Sequence, residues 1–135
     1  MLRLREVMTR ARTLDEGMAV WNTTQNTVGF NHGMGSAVDK SALLLETMMH
    51  KTSVFGADDP REAVYMYDVD GDGTQENIGR PRKEAIFRTN HGYDPYSIAH
   101  FQWNGTGAMR YSVERYMLFA DMFDAYQAQG VRIGV

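Results

Sequence analysis

A chain of 135 residues with 43% hydrophobic residues, 23% charged residues and a formal net charge of -3 has the composition of one modest globular domain. No basic stretch goes beyond "RPRK" at Arg80–Lys83, which excludes a generic nucleic-acid or anionic-membrane binder, and no apolar run is long enough to span a membrane. The absence of cysteine excludes disulfides, thiolate-bound zinc and a cysteine nucleophile within these residues.

The opening "MLRLREVMTR" alternates charged with apolar residues and lacks the uninterrupted apolar segment of a secretion signal. The spacing of Leu4, Val7, Met8 and Ala11 predicts a first helix. "TLDE" then supplies a capping box, with Thr13 as N-cap and Glu16 three residues on. A short second helix follows through Met18, Ala19 and Trp21 to the polar stretch "NTTQNT". From residue 28 to 57 the pattern becomes strand, turn, strand, turn, strand. Gly33, Gly35 and Asp39-Lys40 punctuate it, and "ALLLET" fits a buried strand. "EAVYMYD" at 62–68 and "EAIFRTN" at 84–90 predict two further strands around an Asp/Gly-rich loop. From Met109 onward, Val113, Tyr116, Met117, Ala120 and Phe123 share one helical face, and Gly130 marks the stop. Phe119, Met122 and Tyr126 widen that apolar surface well past one stripe. The closing "GVRIGV" reads as a strand, and both ends read as cut from something larger. N-terminal helices, antiparallel strands and a long C-terminal helix make this an α+β chain, read as a single partial domain over residues 1–135.

Several polar groups are candidates for chemistry. Asp68, Asp70 and Asp72 alternate and Gly73 follows, as at the start of a calcium loop. The match then fails: Gln75 stands where an apolar residue belongs and Gly79 where a bidentate Glu is expected. A hairpin turn built from Asp-Gly pairs fits as well, and no metal is assigned. The four histidines, His32, His50, His91 and His100, show no HExxH-type spacing. Asn22 and Asn104 open glycosylation sequons, which matter only in a secreted protein. No G-x-S-x-G elbow is present. That leaves "FRTNHGYDP", where Asn90 stands between an apolar run and a turn. An amide at a strand end can donate to a developing oxyanion; alternatively Asn90 and Asp94 simply cap the turn before Pro95.

The succession "ARTLDEGMAVWNTTQNTVGFNHGMGSA", "ALLLET", "AIFRTNHGYDP" and "SVERYMLFADMF" resembles the middle of the acyl-coenzyme A:aminopenicillanate acyltransferase-like family. These are N-terminal-nucleophile (Ntn) hydrolases akin to acid ceramidase and the choloylglycine hydrolases. The resemblance covers about residues 5–125 and implies part of a four-layer αββα sandwich. It also implies hydrolysis or transfer at a linear amide bond by a cysteine exposed through autocleavage, whose own α-amine is the base. On that likeness Asn90 is the oxyanion amide and Arg115 the supporting arginine, with Arg110 its alternative. Asn31, His91 and Tyr93 would line or brace the substrate site. No cofactor is implied. The partners would be a small-molecule amide or acyl substrate and an N-terminal segment carrying the nucleophile. The alternative is a non-catalytic ligand- or partner-binding module derived from the same fold.

Overall fold

The computed structural model describes residues 2–27, 29–83, 85–100 and 108–131, and its architecture is α+β. Helices α1 (Leu2–Arg10) and α2 (Leu14–Trp21) come first. The capping box between them forms as its spacing requires: Glu16 N–H donates to Thr13 Oγ1 (3.2 Å) and Glu16 Oε2 accepts from Thr13 N–H (3.3 Å). Strands β1 (Phe30–Ser36), β2 (Ser41–Met48) and β3 (Lys51–Gly56) then build an antiparallel meander in the order β1-β2-β3.

The register decides what each face of this sheet does, because alternate residues point to opposite sides. Asn31 is paired with Glu46 and Glu46 with Ser53, while Leu44 faces Gly33 and Phe55. These residues share one face. His32 pairs with Leu45 on the other, where α2 packs: the Trp21 and His32 rings are 5.0 Å apart.

The first of these faces carries the main core, formed by Leu44, Phe55, Tyr65, Ile78, Tyr93, Val113 and Tyr116. Two of its members lie on α4 (Ala108–Ala128), whose Val113, Tyr116 and Ala120 are buried as the helical spacing predicts, with Met117 and Phe123 half-buried. Gly130 has φ +69, a left-handed conformation that ends the helix at the expected position. The outer side of α4 leaves Leu118, Phe119, Met122 and Tyr126 exposed.

Two predicted strands are corrected. In "EAVYMYD" a 3-10 turn, Pro60–Ala63, begins with Asp59 as its cap and Pro60 in its first turn, so strand β4 is only Met66–Tyr67, paired with β5 (Glu76–Asn77). Tyr65 N–H is taken by the Asn77 side chain (2.9 Å), where a longer ladder would use backbone. "EAIFRTN" has no strand among its described residues. Its Thr89 carbonyl accepts from Asn31 Nδ2 (2.6 Å) and its Asn90 N–H donates to Ser112 Oγ (2.7 Å), so side chains take the place of a ladder. Apart from the meander, the two-residue β4–β5 ribbon is the sole strand pairing among the described residues. The short helix α3 (Pro95–His100) was not foreseen; Asp94 Oδ1 accepts from Tyr96 N–H (2.9 Å) at its start. The strand reading of "GVRIGV" falls largely on residues 132–135, and Asn104 in the second sequon likewise lies outside the described residues. Asn22 is the C-cap of α2.

Arg88 and Glu62 join the segment before Asn90 to the 3-10 turn through a buried ion pair, their side chains only 2% and 6% exposed. The contact is bidentate, Nη1 to Oε2 at 2.9 Å and Nη2 to Oε1. The guanidinium also lies over the rings of Tyr93 (4.1 Å) and Phe55 (4.6 Å). Gly79 passes so close beneath that a Cβ there would lie 2.7 Å from the Glu62 carbonyl oxygen. Glu62→Gln strands a buried guanidinium and is expected to cost about 3–5 kcal/mol in urea unfolding, with Glu62→Leu/Arg88→Met recovering much of it. A loss below about 1 kcal/mol in the Gln variant would remove the pair from the structural argument.

Candidate functional site

The side chains singled out in "TNH" and "SVERY" meet at one place. Asn90 is exposed, and its Oδ1 accepts from Arg115 Nη2 at 2.8 Å. Arg110 instead bonds Glu114, one turn along α4, at 3.0 Å. A cleft of about 480 Å³ opens beside Asn90, between Phe30–Asn31 of β1 and residues 88–90, with Glu46 and Thr47 also on its wall.

Asn31 acts here as a brace. Its Nδ2 donates to the Thr89 carbonyl (2.6 Å) and to the His91 carbonyl (3.1 Å), so both amide hydrogens are committed to holding the segment. His91 is fully buried and does not border the cleft. Its ring stacks on Tyr65 (5.5 Å, 5° between planes), and Nδ1 lies 2.9 Å from Ser112 Oγ and 3.0 Å from Thr89 Oγ1. Nε2 has no hydrogen-bond partner. A buried lone pair is less costly to leave unpaired than a buried N–H, so the proton belongs on Nδ1, directed at the hydroxyls. Burial, with Arg88 and Arg115 nearby, pushes the His91 pKa from the ordinary 6.5 to about 4, and the ring is neutral at neutral pH.

Tyr93 is also buried and stands away from the cleft. Its hydroxyl donates to the Glu62 carbonyl at 3.1 Å, and burial raises its pKa far above the usual phenol value. Of the expected site residues, then, Asn90 and Asn31 line the cleft and Arg115 is joined to it through Asn90, while His91 and Tyr93 are buried away from it.

Three supporting residues were missed in the sequence. Ser112 holds Asn90 N–H and faces His91; Thr89 donates to the Ser112 carbonyl at 2.7 Å, tying the segment to α4. Glu46 accepts the backbone N–H groups of Tyr93 and of Asp94, the latter at 2.6 Å. Burial raises the Glu46 pKa against the opposing pull of these donors. Only Glu46 had a readable signal: in "ALLLET" it shares strand parity with Leu44, so its carboxylate faces the core and requires donors.

The acidic loop is separate. Ligand oxygens of Asp68, Asp70 and Asp72 lie within 4.8 Å of one another at the β4–β5 connection. Much of their hydrogen-bonding capacity serves the turn: Asp68 accepts from Gly71 N–H (2.6 Å) and Gly73 N–H (3.0 Å), and Asp72 accepts from Thr74 N–H (2.7 Å).

No protein-family model, curated protein or solved structure matches this chain.

A histidine buried neutral makes stability fall with acid. As pH drops from 6.5 towards 4 the unfolded chain takes up a proton that native His91 refuses, whereas Glu46, with its raised pKa, works in the opposite direction. The His91 contribution to unfolding free energy is expected to shrink by about 2–3 kcal/mol between pH 7.5 and 4.5, seen as a difference between the native chain and His91→Gln in the slope of urea-unfolding free energy against pH. Equal slopes in the two proteins would show that His91 titrates normally.

Proposed function

We propose that these residues carry the oxyanion amide and supporting guanidinium of a cysteine Ntn hydrolase or acyltransferase acting on a linear amide, within an αββα sandwich. The observation that carries this reading is the 2.8 Å hydrogen bond from Arg115 Nη2 to the side-chain oxygen Oδ1 of Asn90. An amide side chain has one donor end and one acceptor end. A cation on Oδ1 fixes the side chain so that Nδ2 is the end offered outward, and it polarises those N–H groups. In this reading the substrate carbonyl lies in the cleft against Nδ2. Thiolate attack on the carbonyl carbon puts negative charge on the oxygen, where a held donor is worth a few kcal/mol. Collapse of that intermediate breaks the C–N bond, and the amine leaves with the proton that the α-amine took from the thiol. The thiol comes from outside these 135 residues, none of which is cysteine.

A non-catalytic binding module is the second reading, favoured by the exposed apolar side of α4 at Leu118, Phe119 and Met122. Reconstitution separates the two. The chain is co-expressed with the reading frame immediately upstream in its genome, and amine release from N-acyl amides is followed. The chain alone is expected to be inactive and the pair active. Asn90→Ala in the pair should lower kcat by about 10²–10³ with little change in KM. Full rate in that variant would overturn the role given to Asn90, whereas an upstream frame without cysteine would leave the binding module.

A further inference from the structure

A second cleft, of about 390 Å³, lies between β1 and the two N-terminal helices. Its floor is apolar: Trp21 and Leu45 line it and are 3% and 1% exposed. Val7, Ala11 and Met34 are half-buried lining residues, and Met8 lines it while remaining 84% exposed. The volume lies within the range of about 300–1,000 Å³ usual for small-molecule sites, which are mainly apolar with a few polar groups. Met8 and Met34 are unbranched and adaptable, as residues that yield to an entering chain must be.

The polar groups specify the occupant. His32 lines the cleft half-buried; burial, then Arg3, holds its pKa down, so at neutral pH it offers a hydrogen bond without a charge. The charge at the cleft comes from Arg12, which lines it and is exposed. Residues 2–12 hold Arg3, Arg5, Arg10 and Arg12 against one acid, Glu6. Arg3 is engaged by Thr24 and Asn26. No acid lines the cleft among the described residues; close by, Glu16 accepts from Arg12 N–H (2.7 Å) and Asp39 from Leu14 N–H (2.6 Å). An apolar trough whose one charged lining residue is an arginine is complementary to a tail with an anionic head.

We propose that this cleft binds a single-chain carboxylate amphiphile, with the alkyl tail on Trp21, Leu45 and Met34 and the carboxylate at Arg12. The site is distinct from the Asn90 cleft and does not rest on the amide-cleaving reading. The test uses the full chain with Trp103→Phe, which leaves Trp21 as its one tryptophan. Titration with ω-bromodecanoate should quench Trp21 fluorescence saturably, and the matching brominated alcohol should bind about tenfold more weakly, the equivalent of one charge-assisted hydrogen bond. Arg12→Gln should erase that difference between acid and alcohol, and Met8→Glu, at an exposed position that leaves folding intact, should weaken both. Quenching that rises without saturation overturns the proposal, as does binding indifferent to both variants. So does quenching produced only by anionic vesicles carrying brominated lipid, which would make the face a membrane contact. A chain that sediments as a dimer with Trp21 shielded from the probe would show that a second copy covers the cleft.

Discussion

The carboxylate of Glu46 determines where the rest of the site can be. It sits on the central strand β2, is 3% exposed, and accepts two successive backbone N–H groups from Tyr93 and Asp94. Taking a carboxylate out of water costs several kcal/mol, and only donors placed to meet both oxygens offset that cost. The turn at 91–94 is therefore fixed on the sheet by the register of β2. A slip of one residue would move Glu46 to the face covered by α2 and leave the turn without an anchor. With the turn held, His91 and Tyr93 are drawn inward, and Asp94 meets Lys51 at 2.9 Å while starting α3. Asn90, one residue before the turn, is left at the surface.

The core beneath that turn is unusually polar for its size. Tyr65, Tyr93 and Tyr116 bring three hydroxyls, Arg88 and Glu62 an ion pair, and His91 an imidazole. Apolar residues of the same shape would fold about as stably, since burying paired charges contributes little net free energy. What the polar groups add is direction. Tyr65 must point its hydroxyl at the Gly92 carbonyl (3.0 Å), Tyr93 at the Glu62 carbonyl, and Thr89 at the Ser112 carbonyl. Each bond restricts the backbone within a few residues of Asn90, on both sides of it. In the role proposed for Asn90 such restriction matters, because reorienting a donor during the reaction would consume the stabilisation it provides.

The legible parts of the fold are those in which one local rule acts alone. The capping box at Thr13 and Glu16, the meander of 28–57 and the inner face of α4 each follow from spacing, and each formed. "EAIFRTN" shows where that reasoning stops. Its β-rich composition favours a strand, but composition does not say whether the neighbouring N–H and C=O groups will come from a strand or from side chains such as Asn31 and Ser112, 58 and 22 residues away along the chain. "EAVYMYD" failed for a local reason that was readable: Asp59-Pro60 is a helix-start signal, and the turn it begins consumes residues 60–63. Asp94-Pro95 carries the same signal and opens α3. At the site, only the family resemblance singled out Asn90 and Arg115 together, and their approach to 2.8 Å joins a loop to a helix 25 residues on, where only the packed core brings them together.

Strand β1 shows how little sequence is needed to separate two surfaces. Along "FNHGMGS" the odd positions Asn31, Gly33 and Gly35 share the face of Glu46, and the even positions His32 and Met34 share the face of Leu45. Adjacent residues Asn31 and His32 thus serve different neighbours: one holds the segment that presents Asn90, the other packs on Trp21. The glycines add no side chain to the Asn90 side of the strand, where a Cβ at Gly33 or Gly35 would meet nothing within 4 Å. Coupling between the two clefts would therefore have to pass through the backbones of β1 and of β2, whose Leu45 lines one cleft and whose Leu44 and Glu46 line the other. The two strands are held to each other by seven residue pairs, so a ligand on the Trp21 side moves Asn90 only by shifting a sheet whose register Glu46 opposes changing.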